Sequence, residues 1–144
     1  MSGCGSDNDG IRYIVVPELV EINKEMLRLT PGEPFGVRDQ GGLESAQQKP
    51  CMHRYYTQTE DLAMLASVLG FGIVQNHPFL NANKRTAADA VYRFLLLNGY
   101  ELTMPEQDIV LLWEGVAMHD YEEDEVASLL AYWSREFDTS TLND

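Results

Sequence analysis

His77-Pro78-Phe79-Leu80-Asn81-Ala82-Asn83-Lys84-Arg85 is a polar, partly basic stretch set between two apolar helical patterns. Pro78 disfavours helical geometry at His77, so the pattern before it must stop there. The pattern after it, Thr86–Asn98, is apolar nearly all round and predicts a helix in the middle of a domain. A loop that opens directly into a helix is a ready anion site. The first-turn N–H groups have no partner within the helix, and the helix dipole adds partial positive charge. Lys84 and Arg85 in that turn work against the dipole, a small cost that a bound polyanion reverses. His77 is a natural base near neutral pH. A base, cations and N–H groups on phosphates, and a metal to shield charge are the parts that phosphoryl or nucleotidyl transfer needs.

Upstream of the loop, Leu62, Leu65, Leu69 and Ile73 form one helical face, ending near Gln75 or Asn76. Thr57-Gln58-Thr59-Glu60 reads as the capping box that opens that helix. Nearer the start, Ile11 to Val16 reads as a short extended piece. Pro17 suits the first position of a helix. Leu19, Ile22, Met26 and Leu29 then mark one face, closed by Thr30-Pro31-Gly32. Leu43 to Gln48 predicts a short helix stopped before Pro50, with irregular chain from Lys49 to Thr59.

Downstream, Asn98-Gly99 is a helix stop. Thr103-Met104-Pro105-Glu106 reads as another capping box, before a helix with Ile109, Leu112, Trp113 and Val116 on one face. Asp120-Tyr121-Glu122-Glu123, followed by Asp124 and Glu125, announces a last helix, since acid at a helix start is favourable. Its apolar side is Val126, Leu129, Leu130, Trp133 and Phe137. Asp89 and Arg93 lie four apart and pair on one face. The fold class is all-α: a compact bundle of about six helices around a central buried helix at Thr86–Asn98. Residues 11–138 make one domain between a disordered tail at 1–10 and a frayed tail at 139–144.

The chain has 144 residues, 44% hydrophobic, with a net charge of −13. The size and composition suit one globular domain. The acidity argues against nonspecific binding to nucleic acid or anionic membrane, and disfavours a helical DNA-binding domain. Lys84 and Arg85 are local exceptions to it. Cys4 and Cys51 are too few and too far apart for a disulfide framework, and reduced thiols in a cytosolic protein are the simpler reading. No apolar run reaches the ~18 residues of a membrane helix. The first ten residues lack the marks of a signal peptide. Together these place the protein in the cytoplasm.

His77-Pro78-Phe79-Leu80-Asn81-Ala82-Asn83-Lys84-Arg85-Thr86-Ala87 resembles the signature of the Fic/Doc family. The Fic form reads His-Pro-Phe-x-Asp/Glu-Gly-Asn-Gly-Arg-x-x-Arg. Lys84 at the second glycine and Ala88 at the last arginine are similar instead to the Doc (death-on-curing) branch, His-x-Phe-x-Asp-Ala-Asn-Lys-Arg-Thr-Ala. Gly36-Val37-Arg38-Asp39-Gln40-Gly41-Gly42-Leu43-Glu44-Ser45-Ala46 is similar to a second Doc segment, Arg-Asp-x-Gly-Leu-Leu-Glu-Ser-Ala. Two motifs in order are a stronger signal than either alone.

The resemblance spans residues 11–137 and implies an all-helical fold with ATP and Mg²⁺ as cofactors. Fic relatives transfer AMP to target hydroxyls. Doc-like relatives transfer the terminal phosphate, with elongation factor Tu as the family's target, and an antitoxin segment folding into a groove restrains them in the bacterial cytoplasm. The resemblance makes His77 the catalytic base, lets Asn83, Lys84 and Arg85 hold phosphates, and makes Phe79 the anchor of the loop. It places Asn81 at the catalytic and metal position, where the family has an acid. Asparagine keeps a carbonyl oxygen but loses the charge on which Mg²⁺ sites usually rely, so Asn81 attenuates the reaction. Where glycine lets backbone close on a phosphate, Lys84 takes up room and adds a point charge.

The rival readings are an AMP-transferring enzyme and a catalytically inactive module that binds nucleotide or a partner. The intramolecular brake of some relatives, Ser/Thr-x-x-x-Glu-Gly/Asn, is absent from the sequence. His53 and His119 read as ordinary polar residues, and the three histidines have no metal-ligand spacing. Glu44 reads as a structural contact, and the acid run Glu122–Glu125 as a solvated helix start. Trp113, Trp133 and Phe137 read as core. Tyr55 and Tyr56 fall near where relatives carry a flap that positions the target.

Overall fold

The computed structural model describes residues 10–143. Among them are α1 (Val16–Leu27), α2 (Gln40–Thr57), α3 (Leu62–Asn76), α4 (Asn83–Leu97), α5 (Glu106–Ala117) and α6 (Glu123–Tyr132). Strands β1 (Tyr100–Leu102) and β2 (Ser134–Glu136) pair antiparallel, and Thr139–Asn143 form a 3-10 helix. The protein is all-α, as its helical periodicities predict.

Helix α3 is the axis of the fold. It packs on α2, α4 and α6, while α1 and α5 lie on α4. From Leu65 to Val74 every residue of α3 is buried. Its composition allows this: the one polar side chain in that run, Ser67, satisfies its hydroxyl on the Glu123 carbonyl at 2.7 Å. Two glycines let neighbours come close. The Trp113 ring lies against Gly70, and a Cβ at Gly72 would be 3.1 Å from Ala46 Cα of α2. Here the expectation of Thr86–Asn98 as the central helix is corrected. α4 carries Asp89 and Arg93, whose charges need an outlet to water. It therefore lies beside α3, with one flank open. Arg93 Nε meets Asp89 at 2.7 Å, and its Nη2 reaches Glu25 of α1 at the same distance, so the expected pair also ties two helices.

Other differences have local causes. α2 runs through Pro50 for 18 residues instead of stopping before it. Leu43, Ala46, Pro50 and Cys51 make one buried face, and burying it against α3 outweighs the backbone bond that proline forfeits. Lys49–Thr57 is consequently helix, closed by Gln58 in the left-handed conformation. The cap of α3 is Asp61, which accepts from Ala63 and Met64 N–H, and not the Thr57–Glu60 box. Thr103 likewise does not cap α5: its hydroxyl donates to the Trp133 carbonyl, and Pro105 holds the cap position. For α6 the acid run does form a capping box, between Glu122 and Glu125.

Leu29 lies past the end of α1 and is 69% exposed, not on its buried face. Phe137 leaves the α6 stripe because β2 intervenes, and its N–H donates to the Gly99 carbonyl. Each strand has three residues, too few for alternation to show in a sequence. Cys51 is buried and disulfide-bonded, which corrects the reading of a free thiol. Cys4 lies outside the described residues, as does the expected N-terminal tail apart from Gly10. With a disulfide present, reduced thiols no longer argue for a cytosolic setting. No helix among the described residues is long and apolar enough to cross a membrane.

Candidate active site

The chain reverses direction at the end of α3. His77 has φ +48° and ψ +55°, a left-handed conformation uncommon for a residue with a side chain. Its surroundings hold it there. Arg38 donates through Nε to the His77 carbonyl at 2.6 Å and through Nη2 to the Asn76 carbonyl at 2.9 Å. These are carbonyls of the last turn of α3, where a cation also complements the helix dipole. The N–H groups of Arg38 and Asp39 donate to the Pro78 carbonyl, and Leu80 N–H donates to the Gly36 carbonyl. Val37 and Phe79 thereby form a short antiparallel bridge. The two motifs of the sequence are thus one object: residues 36–39 clamp residues 77–80.

Phe79 is 1% exposed and anchors the loop in the core. Asn83 staples the loop from the other side. Its Oδ1 accepts from Phe79 N–H at 3.0 Å and its Nδ2 donates to the Phe79 carbonyl at 2.9 Å, the two-pronged pattern of a strand partner. Ala82 turns left-handed at φ +64° and starts α4 without any side-chain cap. The first-turn N–H groups of α4 are therefore unclaimed by a cap and available to an anion.

A cavity of about 500 Å³ opens over this turn, with His77, Asn81, Ala82, Asn83, Lys84 and Arg85 on its floor. All five residues expected at the site line it: His77, Asn81, Asn83, Lys84 and Arg85. Its opposite wall is α5, through Ile109, Val110, Trp113 and Glu114. The cations differ in freedom. Lys84 is exposed and has no ion pair among the described residues. Arg85 is committed: Nη1 donates to the Met26 carbonyl at 2.8 Å, and Nη2 to Thr30 Oγ1 at 3.2 Å and Glu33 Oε1 at 2.8 Å. Hydrogen bonds from Thr30 and then from Arg85 hold the Glu33 carboxyl below its ordinary value.

Asn81 donates through Nδ2 to the Pro34 carbonyl at 3.1 Å, which leaves Oδ1 as the end able to meet a cation. An aspartate there would set oxygen against oxygen. Among the described residues no cluster of three His, Cys, Asp or Glu side chains could hold a metal. One amide oxygen suits an Mg²⁺ that arrives with the phosphates of a nucleotide, and not one held by the protein alone. Asn81 is the residue that would touch such an ion.

Glu33, Glu114, Ile109, Val110 and Trp113 were not foreseen as lining residues. The α5 residues read as an ordinary amphipathic helix, and its position over the loop has no sequence signal. Arg38 lies in the second motif, and its hold on the end of α3 comes only from the fold. Tyr55 and Tyr56 lie exposed at the end of α2, stacked edge to face, and neither lines the cavity. The segment paired with the loop is 36–39 instead.

An all-helical domain with a histidine and an uncapped, lysine-bearing helix start on one cavity defines a class: a group-transfer domain built to seat a polyanion. The sequence matches the model of the Fic/DOC family over residues 13–95, and the chain belongs to that family. Its members transfer nucleotide-derived groups to proteins and bind a nucleotide together with a metal. No curated protein matches the chain.

Proposed function

We propose that the protein is a Doc-like toxin that transfers the terminal phosphate of ATP to a protein hydroxyl. Lys84 carries this reading. It makes no ion pair among the described residues and stands on an uncapped first turn, in the same cavity as His77. Where the AMP-transferring branch has glycine, a side chain and a point charge bring the outermost phosphates onto the loop. His77 takes the proton of the incoming hydroxyl as its oxygen bonds to the γ-phosphorus and ADP leaves with the bridging oxygen. The N–H groups of the α4 first turn and Lys84 hold the phosphates. When bound, Mg²⁺ would shield phosphate charge, and Asn81 Oδ1 is the group that would hold it. Elongation factor Tu is the substrate implied by the family resemblance. The setting that the family resemblance implies is the bacterial cytoplasm, under the control of an antitoxin whose helical segment lies in a groove. Val110 and Leu111, 51% and 62% exposed beside the cavity, give such a segment an apolar surface.

A second reading is a nucleotide-binding module without transfer. It is favoured by an amide at position 81 and by an arginine already neutralised by Glu33. The protein and its Asn81→Asp variant, incubated with purified elongation factor Tu or bacterial lysate, decide between the readings. Label from γ-³²P-ATP, stronger after Asn81→Asp, supports phosphate transfer. Label from α-³²P-ATP means AMP transfer. ATP binding by calorimetry with no label from either, in both proteins, leaves the binding module.

A further inference from the structure

Asn23 sits on the inner face of α1 with no solvent exposure. Its Nδ2 donates twice, to the Asn81 carbonyl at 2.9 Å and to Thr86 Oγ1 at 3.0 Å. Both acceptors belong to the site: Asn81 lines the cavity, and Thr86 closes the first turn of α4 onto the Ala82 carbonyl. The other end of the amide, Oδ1, is buried without a partner. Turning the amide over does not help, because Oδ1 would then face the Asn81 carbonyl. A leucine would fill the space without the orphaned oxygen but would leave the Asn81 carbonyl and the buried Thr86 hydroxyl without their donor, so burial alone does not explain an amide here.

The grips on the loop explain it better. Leu80 N–H is held by Gly36 of the clamp, and Asn81 Nδ2 by Pro34 just before it; Asn83 holds Phe79 within the loop. Asn23 differs in acting from inside a helix, α1. It fixes the peptide joining Asn81 to the left-handed Ala82.

We propose that Asn23 is a positioning residue. It does not line the cavity; it acts through the Asn81 carbonyl. By fixing that peptide it sets where the Asn81 amide and the first-turn N–H groups of α4 stand relative to His77. Position 81 and the phosphate cradle then move together, and loosening one loosens the other.

The test is Asn23→Leu in the full chain, with Ser67→Ala as a control that removes a buried bond elsewhere. Urea melts of Asn23→Leu and of Ser67→Ala should both fall modestly, since each strips a buried group of its partner. In Asn23→Leu, amide exchange at Phe79, Leu80 and Thr86 should quicken about tenfold, with α6 amides unchanged. Ser67→Ala should weaken the melt without singling out the loop. Given the transfer reading above, on which this second readout rests, kcat should fall about tenfold with KM within about twofold. If Asn23→Leu does not fold, Asn23→Ala gives the same readouts. Exchange that rises uniformly along the chain, or a loop as protected as in the parent, overturns the proposal. If the parent transfers no label, the transfer reading fails, and the exchange pattern still decides the role of Asn23.

Discussion

Replacing Asn83 with alanine separates a staple from a ligand. The change removes two hydrogen bonds to Phe79, at 3.0 and 2.9 Å, and leaves the N–H of a residue that is 1% exposed without its acceptor. Two neutral bonds at about 0.5–1.5 kcal/mol each give a loss of about 2 kcal/mol. Alanine's better helix propensity returns only about half a kcal/mol. For a domain of this size that lowers the melting temperature by roughly 5 °C. The assay is thermal and urea denaturation of the protein without nucleotide, beside Asn83→Asp. The aspartate keeps an acceptor for Phe79 N–H but sets a second oxygen against the Phe79 carbonyl, so it should lose at least as much. ATP affinity should fall in parallel, because the α4 first turn is set by this loop. A nucleotide-free Asn83→Ala that melts with the parent while binding ATP more weakly would refute the reasoning, since the side chain would then be a phosphate ligand and not a staple.

Two further outcomes are expected. Gly70→Ala puts a Cβ into the ring of Trp113, which is 2% exposed and lines the cavity. Overpacking at about 1–3 kcal/mol exceeds the gain of about 1 kcal/mol in helix propensity, so the variant should melt lower, with altered tryptophan fluorescence and weaker ATP binding; a higher melting temperature would contradict the packing. The Glu33 carboxyl is held below the ordinary carboxylate value, first by Thr30 and then by Arg85. A carboxyl lowered in the folded state adds stability above its unfolded value and loses it as pH falls through the folded one. The stability gap between the parent and Glu33→Gln should therefore be open at neutral pH and close as the pH falls below the ordinary carboxylate range; a gap that persists or widens on acidification would show that the carboxylate is not the stabilising form.

Much of the site was legible because local chemistry writes it. Pro78 forces the end of α3, and the α4 start follows within a few residues. A loop so short keeps His77, Asn81, Asn83, Lys84 and Arg85 together in any fold. The all-α class was equally legible, since 3.6-residue periodicity needs no tertiary information. What the sequence left open are choices between partners. Periodicity shows that a face is buried, not what buries it, so the central helix was assigned to α4 when the Gly70 and Gly72 contacts make it α3. Capping boxes at Thr57 and Thr103 obey a local rule, but Asp61 and the Trp133 carbonyl are better partners, visible only once the chain has folded. Pro50 reads as a stop because its local cost is plain, while the burial that outweighs it depends on α3.

His77–Arg85 shows the same division. The sequence by itself determined which groups stand in that loop, and so its polyanion chemistry. Only the tertiary structure decided their freedom. Arg85 is held by α1 and Glu33, Asn83 by Phe79, and Asn81 between Pro34 and Asn23, which leaves Lys84 as the loop's free cation among the described residues. The physical reason is that a hydrogen-bonding group is spent on whatever partner folding brings within about 3 Å, and all of these partners but Phe79 lie tens of residues away along the chain.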